Sequence, residues 1–594
     1  MNDETQNNLN KSRKSLGLFQ AWLILFGIIS VIVFAISATF NHMGSWSDWF
    51  GFGCFSCILG AVLATVFVGL SAFIRWLCCW KNSRRFLFVC ACLATLIALG
   101  YAEEDWRGWH DWQKFKSQWE AKGESFDWQS IVPPTVPDDQ NFAMAPIWIE
   151  SIKATLGPRG SLQWYGSYAE DGRTNFVNRL DMSTTFLDEN GPPIGYWAKA
   201  TLTDLGAWQD YYRKLSAKTN MFPVSAQPRT PPQDVLLALS KYDSTLEELR
   251  QDAQRPDSRF PLDYNRDDRW EILLPHLAKL KRCSRVLELR AIAELQNGQT
   301  DKALADIDLS FRLIDSVRTE PFLISHLVRI AMLQITLQPI YEGLAEHQWS
   351  EAQLAELDSE LAKPDFLADY QVAMRGERGL EISAAEFLQH ADRRSLNNFM
   401  GDLNGGQSQA SLIPLLIFHS IPSGWLYQNE LRIGRFSVTR YLPVVDVTNR
   451  TVSPSAVRAA GNALTLELRH RTPENFLESW LLPNLSNAVK KFTYAQGSAD
   501  LAQVAIALER YRLAFGVYPG SLDVLSPHLI DTVPNDIIGG QPLHYKRTND
   551  GRFVLYSVGW NGRDDGGTVV VGKGSSGTMN TDLGDWVWHY PSAE

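Results

Sequence analysis

FGFGCFSCILGAVLATVFVGLSAFI, residues 50–74, contains no charged side chain. A helix of about 20 apolar residues crosses the hydrocarbon core of a bilayer, so this run predicts a membrane span. Two flanking runs read the same way. Residues 18–40 hold Gln20 as their only strongly polar side chain, and residues 86–101 form a shorter third run. A buried hairpin in a water-soluble protein would not need runs this long and this free of charge.

Basic residues give the direction. Lys11, Arg13 and Lys14 precede the first run, and Arg75, Lys81, Arg84 and Arg85 fill the link between the second and third. The link 41–49 has no Lys or Arg, and Glu103, Glu104 and Asp105 follow the third run. Short loops rich in Lys and Arg stay on the cytoplasmic side. The counts therefore predict a multi-pass protein of a bacterial inner membrane, N-terminus cytoplasmic, with a large periplasmic C-terminal region. Trp106, Trp109 and Trp112 fit an interfacial aromatic belt. The competing reading of the first run is a cleaved signal peptide, with Lys11–Lys14 as its basic region and Ala35-Ile36-Ser37 as a loose processing site. It leaves the later topology unchanged.

The chain has 594 residues, 45% hydrophobic and 21% charged, which excludes a disordered or low-complexity class. Residues 1–102 carry seven basic and three acidic side chains; the remainder of the totals of 56 and 66 is 49 basic against 63 acidic. Phosphate backbones are gripped by clustered Lys and Arg, so this acidic remainder argues against a nucleic-acid partner. Cys54, Cys57, Cys78, Cys79, Cys90 and Cys92 lie in or beside the apolar runs, leaving Cys283 alone afterwards. A lone thiol has nothing to mispair with in an oxidising compartment. Cys54-x-x-Cys57 sits in an apolar run, where small packing residues explain it better than a redox pair.

Past the runs, residues 103–140 read as a stalk ending in Val132-Pro133-Pro134-Thr135-Val136-Pro137, an extended spacer composition. Residues 141–232 form a mixed or irregular segment, and 233–473 an α-helical domain with 3.6-residue periodicity. Asn297-Gly298 separates two amphipathic helices, and Ala291–Leu309 resembles one tetratricopeptide-type pair, with no 34-residue register repeating along the chain. Gly401–Gln409 reads as a flexible loop. Leu412–Phe418, too short to span a bilayer, reads as a buried or surface-docking segment.

Residues 474–594 form the last unit. Ala499–Phe515 predicts an amphipathic helix with Leu501, Val504, Ala505, Leu508, Tyr511 and Phe515 on one face, closed by Gly516 and Pro519. Leu543–Lys546, the turn Asn549-Asp550-Gly551 and Phe553–Tyr556 spell a β-hairpin, with Thr568–Val571 and Trp586–His589 as further strands. The helix into Tyr511, the Gly516-x-Tyr518-Pro519 corner, Pro534-Asn535-Asp536 and Tyr556-Ser557-x-Gly559-x-Asn561-Gly562 together resemble the globular head of the type II secretion major pseudopilin, over about residues 474–590. The layout as a whole resembles a group of uncharacterised bacterial membrane proteins that carry such a head. The resemblance implies a helix on a small antiparallel sheet and a late calcium loop, onto which Asp564, Asp565, Asp582 and Asp585 map as metal ligands. Ca²⁺ takes six to eight oxygens, which clustered carboxylates and carbonyls can supply; the plain alternative is a solvated acidic turn. A pseudopilin also has a short basic leader, a Gly-Phe junction and an early Glu, none of which occurs here, so assembly into a filament is not implied.

Catalytic patterns are sparse. Gly567-x-x-x-x-Gly572-Lys573 approaches a phosphate-binding loop, but Gly574 stands where Ser or Thr would bind Mg²⁺, so no nucleotide partner is expected. His276, His326 and His390 lie on helical stretches and read as core-edge or surface side chains. Glu377 and Glu381 near Arg375 and Arg378 read as ion pairs along one helix. The expectation is a multidomain membrane protein: three N-terminal transmembrane helices, a mainly α-helical soluble region of irregular solenoid character, and a small α+β head. Its expected role is that of a non-enzymatic structural or interaction protein of the cell envelope with protein partners there, with no certain cofactor beyond the calcium reading. The alternatives are an accessory part of a secretion or pilus-like system, and an envelope enzyme with a site assembled from scattered residues.

Overall fold

The computed structural model describes residues 20–35, 46–78, 80–156, 179–185, 191–391, 421–470, 472–481, 485–572 and 579–591. The expected loop Gly401–Gln409 and the run Leu412–Phe418 lie outside them. The chain forms two compact units, Met1–Glu103 and Glu104–Glu594.

The first unit holds α1 (Gln20–Ala35), α2 (Trp46–Leu77) and the start of α3 (Trp80–Glu120). Ser30 and Gly60 bring α1 against α2: a Cβ on Gly60 would lie 2.1 Å from the Ser30 hydroxyl oxygen. Trp22 Nε1 donates to Thr65 Oγ1 at 3.0 Å across the same contact. Phe86 of α3 packs edge-on against Phe73 of α2, ring centres 5.3 Å apart. Outward-facing side chains are apolar and bare, Val31 at 68% exposure, Phe67 at 55% and Leu96 at 64%. In water such a surface would be a severe liability, whereas lipid covers it at no cost.

Three helices are long and apolar enough to cross a membrane: Cys54–Leu77 within α2, Trp80–Glu120, and Leu323–Ala345. The first two coincide with the second and third runs of the sequence. The third is of another kind, because 67% of its apolar stretch is buried within the fold, against 11% and 0% for the others. It also carries buried His326, Arg329 and Glu342. It is a core helix. The first expected span is represented by the shorter apolar helix α1, and residues 18, 19 and 36–40 lie outside the described set.

The second unit is mostly helical. Helices α4 (Pro146–Leu156), α5 (Leu205–Ser216), α6 (Pro231–Leu239) and α7 (Asp243–Asp252) lead to a larger set: α8 (Pro275–Gln296), α9 (Thr300–Asp315), α10 (Leu323–Ala345), α11 (Glu351–Ala362) and α12 (Phe366–His390). The Asn-Gly joint lies where expected, between α8 and α9, with Gly298 at φ +73°, a conformation glycine adopts without a Cβ penalty. Ser350 and Gln353 form a reciprocal capping box that starts α11. After α13 (Ser423–Phe436) come a short π-helical turn, the two-stranded ribbon β1 (Val445–Asp446) and β2 (Thr451–Val452), α14 (Pro454–Glu467), α15 (Phe476–Leu481) and α16 (Leu485–Phe515).

Helix α16 departs from expectation. It begins before Ala499, and from Leu501 to Leu508 all but Gln503 are buried, so it has no solvent stripe. The reason is packing on two sides: α10, α11 and α12 cover one flank, and the strands β4 (Phe553–Ser557) and β7 (Trp586–His589) the other. Small alanines at 499, 502, 505 and 507 let neighbours approach this part of the helix from both sides. With β3 (His544–Arg547), these strands form an antiparallel sheet in the order β3-β4-β7, pairing His544 with Tyr556 and Leu555 with Trp588. The expected hairpin and its Gly551 turn (φ +79°) are present, and Trp586–His589 joins that sheet. By contrast β5 (Val569–Val571) pairs with β6 (Met579–Gly584) in a ribbon of its own.

The segments expected as separate domains share one core. Trp197 lies 5.2 Å from Trp588 and stacks on Tyr494 at 6.3 Å, and Tyr341 Oη donates to the His589 carbonyl at 2.9 Å. Residues 103–140 differ most from expectation. Instead of an extended stalk, α3 continues to Glu120, and Trp112, Phe126 and Trp128 are buried. Aromatic side chains spaced through this stretch outweigh its prolines, because each removes a large apolar area from water.

Several carboxyls inside this unit titrate late. Burial pushes Glu288, Asp308 and Glu478 up to about 7, and Asp369 and Asp500 up to about 6. The unfolded chain releases those protons near pH ~4 while the folded chain holds them, so stability declines as pH rises through this window. His326, lowered to about 3 by burial, and His589, lowered by the same cause, act oppositely, but only below about pH 6.5, where unfolded histidine charges. The full chain in detergent is therefore expected to melt at a higher temperature at about pH 6 than at about pH 8, as followed by scanning fluorimetry. An equal or lower midpoint at the acid value contradicts this assignment.

Candidate functional site

A cleft arises where α3, α12 and α13 meet. Glycines set the distance between two of them: a Cβ on Gly108 would lie 2.2 Å from the Gly424 carbonyl oxygen, and one on Gly424 2.0 Å from that of Glu104. The Gly424 N–H donates to Asp105 Oδ1 at 2.7 Å, pinning the start of α13 to α3. Farther along, Gly434 makes room for Trp112, Phe115 and Phe126. Helix α12 is fixed at its start by Asp365, whose Oδ1 accepts the Leu367 and Ala368 N–H groups at 3.0 Å. Its last two turns open onto a space of about 660 Å³.

Side chains from four elements line that space. Trp112 and Lys116 stand one turn apart on α3, Glu386 and His390 one turn apart on α12, and Tyr427 and Glu430 three residues apart on α13. Arg269 comes from the short turn before α8. Glu430 is only 1% exposed; its Oε1 accepts Gln389 Nε2 at 2.7 Å. Burial, and then the nearby Glu386, push its pKa well up, with Lys116 opposing. Glu386 is likewise raised by burial. Arg269 donates to Ser383 Oγ at 2.8 Å and stands 3.9 Å from Glu386, while Lys116 lies 3.9 Å from Glu120. A cleft of this size with convergent polar groups and perturbed carboxyls has the character of a ligand site.

The four carboxylates suggested by the sequence as metal ligands have other partners. Asp585, 0% exposed, accepts the N–H groups of Asp565 at 3.2 Å, Gly567 at 2.7 Å and Thr568 at 3.1 Å. Asp564 accepts from Tyr556 Oη at 3.0 Å and the Gly566 N–H at 2.9 Å, and Asp565 from Asn561 Nδ2 at 2.7 Å. Asp582 turns instead to Lys490, 2.5 Å away. Three of the four thus share one loop and the fourth faces elsewhere. Among the described residues no group of three or more His, Cys, Asp or Glu side chains is placed to hold a metal ion. Asp585 already ties the loop through backbone donors. Asp585→Ala is expected to cost roughly 2–4 kcal/mol, since three half-buried backbone N–H bonds lose a charged acceptor, with or without added calcium. Urea midpoints in chelator and in millimolar Ca²⁺ check this; a loss confined to the calcium sample contradicts it.

The histidines and the glutamate pair are distributed differently from expectation. His276 and His326 are fully buried, with His276 Nε2 2.8 Å from Glu320 Oε1, whereas His390 borders the cleft. Arg375 and Arg378 do not pair with Glu377 and Glu381; both grip Glu124, at 2.7 and 3.0 Å. Glu377 accepts the Leu323 N–H at 3.1 Å, and Glu381 is 5% exposed. The stretch expected as a stalk supplies their partner, and helix spacing alone does not show that.

Glu386, Tyr427 and Glu430 are not legible as site residues in the sequence. Their only signals there are the i,i+4 pair Glu386/His390 and the i,i+3 pair Tyr427/Glu430, both ordinary on helices. The described residues define a coarse class, a mostly helical chain with apolar helices able to cross a membrane. No protein-family model, curated protein or solved structure matches the chain.

Proposed function

We propose that this chain is a membrane-anchored, non-enzymatic interaction protein of the bacterial cell envelope, its N-terminus cytoplasmic and Glu104–Glu594 periplasmic. The observation that carries the reading is the charge asymmetry about the apolar helices: basic residues at 11–14 and 75–85, and none in the link 41–49. Apolar side chains left bare near the end of α16 support a role in binding protein, Phe515 being 65% exposed, Val517 53% and Val524 52%. A helix lying on an antiparallel three-stranded sheet is consistent with the pseudopilin-like head, and so with the narrower reading of an accessory part in a secretion or pilus-like system. A photo-crosslinking residue at Phe515 or Val524 in intact cells, followed by mass spectrometry, tests this. Discrete adducts with envelope proteins are expected; no adducts, or only cytosolic ones, would refute it.

A second reading, an envelope protein with a small-molecule or catalytic site, is favoured by the cleft around Glu430. Its buried carboxyl, its neighbour Glu386 and the aromatic walls are features that a purely structural helix junction does not need.

A further inference from the structure

We infer that the cleft between α3, α12 and α13 binds an organic ammonium ion, held between Glu386 and Glu430 against the aromatic faces of Trp112 and Tyr427. This rests on the reading of the cleft as a ligand site, and is independent of which side of the membrane it occupies.

The argument is one of unmet charge. Glu430 is almost wholly buried, yet among the described residues it has no ion pair, only the Gln389 amide on one oxygen. Glu386 has Arg269 at 3.9 Å, and that guanidinium already donates to Ser383. Lys116, the other cation lining the space, stands 3.9 Å from Glu120. Glu386 disfavours the charged form of Glu430; a positive charge between the two carboxylates relieves that, and a charge-assisted N–H donor satisfies the remaining oxygen lone pairs. The last turn of α12 adds the negative end of its helix dipole. An anion would meet like charge from Glu386, Glu430 and the end of α12. A metal ion wants more oxygen ligands than the cleft brings together. A primary ammonium, compact and with three donors, fits the carboxylates, and its aliphatic stem fits the rings, where cation–π attraction contributes as well. The volume of about 660 Å³ accommodates a molecule of this kind.

Titration calorimetry on the full chain in detergent tests the assignment with four probes: 1,5-diaminopentane, 1-aminopentane, Nα-acetyl-lysinamide and pentanoate. The expected result is saturable binding of the amines, with Glu430→Gln weakening it roughly tenfold or more and leaving the ligand-free melting midpoint undiminished. Tighter binding of the lysinamide than of the free amines points to a peptide source, and the reverse to a free amine; either supports the ammonium class. Binding of pentanoate alone overturns the ammonium class while the ligand-site reading stands. No binding of any probe overturns both, and binding equal in Glu430→Gln and the parent overturns the assignment to this cleft.

Discussion

Replacing Gly376 by alanine is expected to destabilise the folded unit by on the order of 3 kcal/mol, although alanine is the better helix former. Propensity alone gives the opposite sign, a gain of about 1 kcal/mol for glycine to alanine within a helix. What decides is the backbone of the segment entering α10. A Cβ at 376 would lie 1.5 Å from the Pro321 carbonyl oxygen and 2.5 Å from its carbon. No rotamer relieves a clash between two main chains, so α12 would have to move away from that segment. Arg329–Asp369 and the Glu377–Leu323 hydrogen bond depend on that same contact between α10 and α12. Urea midpoints of parent and variant give the answer, and a midpoint at or above that of the parent contradicts the close approach.

Arg329→Met is the second large effect. Arg329 is 1% exposed, its Nε donates to the Ile314 carbonyl at 2.8 Å, and its Nη1 is paired with Asp369. Burial lifts the Asp369 carboxyl to about 6 even with Arg329 beside it. Removing the cation strands a buried carboxylate, a change that costs about 3–5 kcal/mol. Two further results separate charge from packing. Arg329→Met/Asp369→Leu should cost less than Arg329→Met alone, because no charge is left unpaired. The cost of the single variant should also shrink as pH falls toward about 6, because without the Arg329 cation the buried Asp369 carboxyl takes up its proton at a higher pH than in the parent. If the double variant is the less stable, shape rather than charge governs this contact.

Particular residues show how far the sequence carries. Local chemistry is legible: Gly298 and Gly516 close helices at positive φ, the Asn549-Asp550-Gly551 turn closes a hairpin, and the uncharged run 50–74 is helical. Each of those depends on neighbours in the chain. What is not legible depends on distant partners. Helix α16 reads as one-faced because its first flank explains the periodicity, while the strands covering the other flank lie up to a hundred residues away in sequence. Residues 103–140 read as a spacer because prolines are visible in a sequence and the pockets for Trp112, Phe126 and Trp128 are not. Spacing pairs Arg375 and Arg378 with the nearest carboxylates, whereas Glu124 holds them. The cleft itself draws its lining from several separate elements, none of the residues unusual in its own helix, and this is why Glu430 leaves no mark in the sequence.

The envelope reading stands on the direction of the apolar helices, and a pair of reporters fused after Glu594 tests it most directly. One reporter matures only after export, the other only in the cytosol. The charge pattern of residues 11–85 predicts activity from the exported reporter and none from its cytosolic counterpart. The reverse pattern would put Glu104–Glu594 inside the cell and contradict the envelope assignment.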